Sequence, residues 1–182
     1  DTYISSVFSE SGSLWMGTRK GLCVLDVASG ASKIFLKDRT VNVIYKDKGG
    51  IFWIGLAGSS DGLWRMEKSN TGNYTLTKFG DNNTLKLSAQ SITSITEDDA
   101  GRLWVGTING GINIISAARN EIAYLQAGKQ GGLISNNINN VYNDPLYPYM
   151  WISYRDKGLA RVSANNTGNY IFTNYSHDNQ NK

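Results

Sequence analysis

The chain has almost no cysteine, histidine or proline: 1 Cys, 1 His and 2 Pro in 182 residues. A single thiol excludes an internal disulfide. One Cys and one His cannot furnish the ligand set of a structural zinc, so no metal or other cofactor is expected. The lone histidine, His177, lies in the polar tail 177–182. A solvated tail side chain is expected there, not a catalytic or phospho-accepting imidazole. No apolar run approaches the roughly 18 residues of a membrane helix, and no signal peptide is evident, so this segment should make no membrane contact. That leaves a cytosolic protein, or a mature or excised part of something larger. Charged residues make up 18% of the chain and the net charge is +3, without a block of one sign. Such mild basicity does not point to nucleic acid. Cys23 sits in the apolar run Leu22-Cys23-Val24-Leu25 with no cation beside it. It reads as a buried structural thiol. Asn-x-Ser/Thr sequons begin at Asn73, Asn82, Asn165 and Asn174. They matter only in a eukaryotic secreted protein and otherwise reflect Asn-rich turns.

What is abundant is glycine (20), tyrosine (10) and tryptophan (5), with 40% hydrophobic residues. That composition suits a turn-rich β protein, and the length suffices for a core burying roughly 70% of the unfolded surface. The tryptophans disclose a repeat. Trp15-Met16-Gly17, Trp53-Ile54-Gly55, Trp104-Val105-Gly106 and Trp151-Ile152-Ser153 stand 38, 51 and 47 residues apart. A period of roughly 40 to 50 is that of a four-stranded propeller blade. Each unit parses into four short strands, giving blades near 1–38, 39–80, 81–127 and 128–176 within one domain, 1–182. In the first strands apolar residues stand three apart: Ile4 and Val7, Val41 and Ile44, Ile92 and Ile95, Ile138 and Val141. Residues three apart on a regular strand point to opposite faces, as a sheet stacked on both sides requires. The small and polar residues between them suit an innermost strand. The tryptophans should fill the wedge between blades, with the glycine two residues on leaving room for a neighbour. Lys33, Lys37 and Lys78 in the fourth strands suit a guarded outer edge. Asn70-Thr71-Gly72-Asn73-Tyr74 recurs as Asn166-Thr167-Gly168-Asn169-Tyr170, which reads as a trace of duplication.

The pattern apolar-x-x-apolar, acidic turn, Gly, Trp-x-Gly-Thr, then Gly-Leu or Gly-Ile resembles the two-component regulator propeller repeat. It is tightest over Ile92–Ser116 and good over Ile4–Leu25. Gly132-Leu133-Ile134-Ser135-Asn136-Asn137 is similar to the lead-in of that family's repeats. The fourth unit departs, with Asp144-Pro145-Leu146-Tyr147-Pro148 in place of the glycine turn and Ser153-Tyr154 in place of Gly-Thr. A distorted turn is expected there. The resemblance implies seven-bladed propellers, often in tandem, that form the periplasmic sensor of hybrid two-component histidine kinases, bind oligosaccharides and act as dimers. Other members precede diguanylate cyclases. Four units are fewer than seven, and the chain starts at a first strand and ends at a fourth. It therefore reads as a partial propeller, whose apolar end faces further blades of a parent chain or a second copy would cover, as in a homodimer of eight blades.

Catalytic signals are absent: no Gly-x-Ser-x-Gly elbow and no phosphate loop. The stretch Gly106–Gly111 leads into a strand, without the helix N-terminus a nucleotide needs. Asp98-Asp99 reads as a solvated hairpin turn. The loops between second and third strands share a face with those leading into first strands. They hold Arg19, Lys20, Asp61, Asn109, Tyr154, Arg155 and Lys157, groups able to hydrogen-bond sugar hydroxyls, with the four cations favouring an acidic sugar. The reading is a non-catalytic oligosaccharide-sensing module that relays to a histidine kinase. The alternatives are a protein-interaction scaffold and, less favoured, a propeller lyase or glycosidase, for which the inner strands offer Ser, Asn and Thr instead of His or carboxylates.

Overall fold

The computed structural model describes residues 3–58, 60, 62–81, 85–129, 132–165 and 169–175. Among them there is no helix. Sixteen strands form four antiparallel four-stranded sheets, each in chain order. The first sheet is β1 (Ile4–Glu10), β2 (Ser13–Thr18), β3 (Gly21–Asp26) and β4 (Ser32–Phe35). The second is β5 (Val41–Lys46), β6 (Phe52–Leu56), β7 (Leu63–Lys68) and β8 (Tyr74–Lys78). The third is β9 (Ile92–Glu97), β10 (Leu103–Thr107), β11 (Gly111–Ile115) and β12 (Ile122–Leu125). The fourth is β13 (Ile138–Asn143), β14 (Met150–Tyr154), β15 (Leu159–Ala164) and β16 (Tyr170–Tyr175). These sheets are the blades that the tryptophan spacing announces. The chain divides into two compact units, Asp1–Asn83 with Gln90–Ile92, and Thr84–Ala89 with Thr93–Lys182. Unit one contains the first two sheets, and unit two contains the last two apart from Ile92.

Each unit has its own core. In unit one, Trp15 lies flat on Phe52 of the next sheet, with ring centroids 4.2 Å apart and planes 16° from parallel. Leu22, Val41, Ile44, Ile54, Leu56 and Met66 complete that cluster. In unit two, Trp104 packs with Ile138, Val141, Met150, Ile152 and Val162. Burying such a tryptophan is the largest single contribution a side chain makes here, since Trp→Ala in a core costs about 3–5 kcal/mol.

The first strands correct the expectation of opposite faces. Val41 pairs with Leu56 and Ile44 with Ile54, so two residues separate the partners where three separate the pair. A β-bulge between Val41 and Val43 absorbs the extra residue, and both apolar side chains point to the same face. The same shift falls between Ile4 and Ser6 and between Ile138 and Asn140. A bulge leaves one residue out of the ladder and bends the strand. The spacing of three is thus the signature of a bulged strand with one buried face.

The polar residues of the bulge clasp neighbouring sheets together. The Ser5 hydroxyl donates to the Val41 carbonyl at 2.5 Å, and the Ser6 hydroxyl accepts the Ile44 amide at 3.2 Å. In unit two the buried Ser94 hydroxyl accepts the Val141 amide at 3.1 Å. Backbone groups freed by the bulge are satisfied across the gap between sheets, as buried amides must be. The glycine after each tryptophan makes the approach possible. A Cβ on Gly17 would stand 2.9 Å from Val41 Cγ1, and one on Gly106 would stand 2.5 Å from Ser94 Oγ and 2.7 Å from Ile138 Cγ2. At Gly55 it would lie 2.6 Å from Val43 Cγ1.

Three further expectations change. Asp98 is not a solvated turn residue: it is only 6% exposed, and its carboxylate accepts the Trp104 indole N–H at 2.9 Å. It also accepts the Arg102 amide at 2.9 Å and Arg102 Nε at 2.7 Å. Asp47 holds Trp53 at 2.8 Å, and Asp144 holds Trp151 at 2.9 Å. The acidic turn orients the tryptophan. Cys23 is half-buried instead of fully enclosed. Finally, the repeated Asn-Thr-Gly-Asn-Tyr delivers a packing residue. Tyr74 meets Trp15 edge to face at 5.2 Å, and Tyr170 meets Trp104 in the same way at 5.2 Å. In the fourth sheet the β13–β14 connection spans Asp144–Tyr149, its ends joined by the Asp144 amide donating to the Tyr149 carbonyl. Trp151 is half-buried, tilted against Tyr175 at 6.2 Å.

Candidate functional site

The turns singled out from sequence lie at the ends of β2, β10 and β14, and in unit two the backbone ties two of them together. The segment before β13 runs past both. The Asn136 carbonyl accepts the Gly111 amide at 3.0 Å, and the Asn137 carbonyl accepts the Arg155 amide at 3.0 Å. Consecutive carbonyls thus brace the β10–β11 turn to the β14–β15 turn. The brace is itself held: the Asn136 side-chain oxygen accepts the Ala127 amide at 2.8 Å, and Ser135 Oγ accepts the Asn137 amide at 3.0 Å. Only glycine fits at Gly111, because its φ is 74° and a Cβ would lie 2.2 Å from the Leu125 carbonyl oxygen. Asn109 adopts φ 65°, a left-handed conformation that asparagine tolerates better than most residues. Its side chain is exposed at the turn, as are Arg155, Asp156 and Lys157.

Tyr154 does not belong with them. It is 6% exposed and part of the unit-two hydrophobic cluster, and burial holds its phenol above the usual tyrosine range. In the alternation along β14 it points inward, and the departure from Gly-Thr in this repeat serves packing. In unit one, Arg19 and Lys20 are exposed at the β2–β3 turn, and the Arg19 guanidinium lies 4.3 Å from the Tyr3 ring centroid. The Lys20 carbonyl accepts the Asp38 amide at 3.2 Å, and the Thr40 carbonyl accepts the Ala57 amide at 2.9 Å. Thr40 therefore plays for unit one the part that Asn137 plays for unit two. Asp61 and His177 lie outside the described residues.

Chemically, the unit-two turn surface offers a guanidinium, an ammonium, a carboxylate and an amide on a rigid frame. These are groups for hydrogen bonding and charge pairing. Among the described residues no three His, Cys, Asp or Glu side chains gather into a metal-binding group. Unit one also carries a cavity of about 500 Å³ lined by Val24, Phe35 and Tyr74 with Asp26, Lys33 and Asn73. Asp26 is already committed there, accepting the Ser29 amide and hydroxyl, which hold its carboxyl below the ordinary range. Sequence reasoning missed the bracing pair Asn136-Asn137, although the lead-in motif contains it. It also missed the indole acceptors, whose signal was an aspartate six or seven residues before tryptophan in three of the four units.

A family model for the two component regulator propeller matches residues 86–109, which cover β9, the acidic turn, β10 and the Asn109 turn. The chain carries that repeat. No curated protein matches the sequence. Among solved structures, the extracellular domain assigned to a hybrid two component system of B. thetaiotaomicron is 25% identical, with a TM-score of 0.64 over 92% of this chain and 19% of that one. The β-propeller domain of Swd1 from Myceliophteria thermophila is 15% identical, with a TM-score of 0.60 over 90% of this chain and 53% of its own length. An auxiliary nutrient binding protein from Bacteroides thetaiotaomicron is 10% identical, with a TM-score of 0.66 over 93% of this chain and 41% of its own. The latter two show the β-propeller fold alone. The chain spans about a fifth to a half of the length of these structures. Its sheets and its likeness to these structures show a β-propeller module that carries a two component regulator propeller repeat.

Proposed function

We propose that this module recognises an oligosaccharide outside the cytoplasm and that its occupancy is relayed to a histidine kinase output of the protein to which it belongs. The observation that carries the reading is the braced surface of unit two. Asn109, Arg155 and Lys157 are exposed on turns fixed by the consecutive carbonyls of Asn136 and Asn137. A rigid frame lowers the ordering cost of binding, and donors on it hydrogen-bond sugar hydroxyls. Two cations against Asp156 leave a net positive surface, which favours a sugar bearing a carboxylate or sulfate. The likeness to the extracellular domain assigned to a hybrid two component system of B. thetaiotaomicron supports an extracytoplasmic role.

The test is isothermal titration of the chain with trigalacturonate and with neutral tetrasaccharides. Trigalacturonate should bind, and Arg155→Ala and Lys157→Ala should each weaken it about tenfold to a hundredfold, the cost of a lost charge-assisted hydrogen bond. An absence of heat with every glycan, together with binding to a protein partner, would replace this reading with that of an interaction scaffold.

A further inference from the structure

The repeat provides an internal comparison at the opposite ends of the strands. Beside each buried tryptophan, the next sheet presents the first residue of its second strand and the last residue of its first. In unit one these are Phe52 and Lys46, which pair across the ladder. Phe52 covers Trp15, and Lys46 lies 5.3 Å from the Phe52 ring centroid while its ammonium pairs with Glu10. An aromatic ring and an ion pair therefore close that space. In unit two the equivalent pair is Met150 and Asn143. Methionine fills less volume than phenylalanine and has no flat ring to cover the indole, and Asn143 bonds the Asp99 carboxylate as a neutral donor, at 3.1 Å. A cavity of about 190 Å³ remains between the β9–β10 and β13–β14 turns. The departure of the fourth repeat builds one of its walls, since Pro148 and Tyr149 stand where the other repeats have a short glycine turn.

The lining has two faces of different character. Tyr149 and Tyr170, both part-exposed, provide aromatic surface above the buried Trp104. Tyr149 is backed by the Arg161 guanidinium, 4.6 Å from its ring centroid. Around them the second carboxylate oxygen of Asp99, the Ser163 hydroxyl and the Tyr170 hydroxyl make no hydrogen bond among the described residues. The Tyr170 phenol is protonated at neutral pH and can donate. Asp98 and Asp99 against Arg102 leave the lining with one net negative charge, which opposes an anionic guest.

We propose that this cavity is a second, separate carbohydrate site, taking one neutral pyranose ring. The C–H face of the sugar lies on the aromatic wall, and its hydroxyls pair with Asp99, Ser163 and Tyr170. A pyranose combines an apolar face with a rim of hydroxyls, which is the combination the lining presents. The site stands on different residues from the braced turns of β10 and β14 and does not depend on them.

The experiment titrates the chain with cellotetraose, xylotetraose, maltotetraose and galactotetraose, and with trigalacturonate. Each is repeated on Asp99→Ala, Tyr149→Ala and Arg155→Ala, with the fold of each variant checked by circular dichroism. At least one neutral tetrasaccharide should bind, should lose about tenfold or more in affinity with Asp99→Ala and with Tyr149→Ala, and should be unchanged with Arg155→Ala. The exposed Asp99 keeps the test valid even where Tyr149→Ala fails to fold. Neutral binding indifferent to Asp99→Ala overturns the site. So does trigalacturonate binding that depends on Asp99, or failure of all four neutral probes. Trigalacturonate binding that is lost only with Arg155→Ala, beside silent neutral probes, would overturn this site and leave the turn-surface reading standing.

Discussion

Replacing Asp98 by alanine removes three acceptor contacts at once. The Trp104 indole N–H loses its partner in a site where Trp104 is buried. An unsatisfied buried donor costs about 1–3 kcal/mol. The Arg102 Nε bond adds less, because that side chain is 39% exposed and water screens and replaces it, and the part-buried Arg102 amide loses one further acceptor. The expected loss is about 2–3 kcal/mol, a large share of a typical domain stability of about 5–15 kcal/mol. For a chain of this length it corresponds to a fall in Tm of about 4–12 °C. Urea unfolding followed by tryptophan fluorescence gives the free energy, provided the slope is unchanged. A cycle with Trp104→Phe isolates the cause. Phenylalanine has no N–H, so Asp98→Ala should cost about 1 kcal/mol less in that background. A loss under about 0.5 kcal/mol in the parent, or an equal loss in both backgrounds, would refute the claim that the acidic turn exists to hold the indole.

Other consequences follow from the same geometry. Ser94→Ala strips the Val141 amide of its acceptor and should cost about 1–2 kcal/mol in urea unfolding, with Val141 losing hydrogen-exchange protection. Gly106→Ala forces a Cβ against Ser94 and Ile138 and should cost about 1–3 kcal/mol in the same assay. The Asp144 carboxyl lies below its ordinary value of 3.8, chiefly because the Trp151 indole donates to it. Its stabilisation is complete above the unfolded value and is lost as the pH falls through the folded one, so Trp151 fluorescence should hold steady down to about pH 4 and change only below it. Ile4, Val7 and Ile34 form an exposed apolar face on the first sheet. If a second copy covers it, light scattering should give a doubled mass that Val7→Glu returns to a monomer, whereas a monomer in the parent chain would remove that partner.

The fold was legible because its signal is redundant. Four tryptophans at blade spacing, glycine turns at each junction and the absence of helical periodicity all point to the same sheets. What escaped was the meaning of a spacing of three. Val41 and Ile44 carry one pattern under either assignment, and only the ladder distinguishes a flat strand buried on both sides from a bulged strand buried on one. The polar turns deceived for a related reason. Asp98 has the composition of a solvated hairpin, and nothing local shows that an indole six residues on will bend back to it. Tyr154 looked like a loop residue because Arg, Asp and Lys follow it, yet it closes a strand and faces inward. The candidate site was less legible than the fold because Arg155 and Lys157 resemble any exposed polar turn. Their distinction lies in a backbone brace contributed by another segment.

The hydroxyl clasp has a direction. Ser6 reaches forward to Ile44 and Ser94 forward to Val141, so in both cases the earlier sheet supplies the acceptor and the later one the amide. As the polypeptide leaves the ribosome, the first sheet of each unit already displays the group that the second will need. The second sheet therefore arrives onto a waiting template, without needing a segment still to be made. The same asymmetry constrains how such an array grows by gene duplication. A copied sheet inserted head to tail brings both halves of the contact with it, the hydroxyl for its successor and the amide for its predecessor.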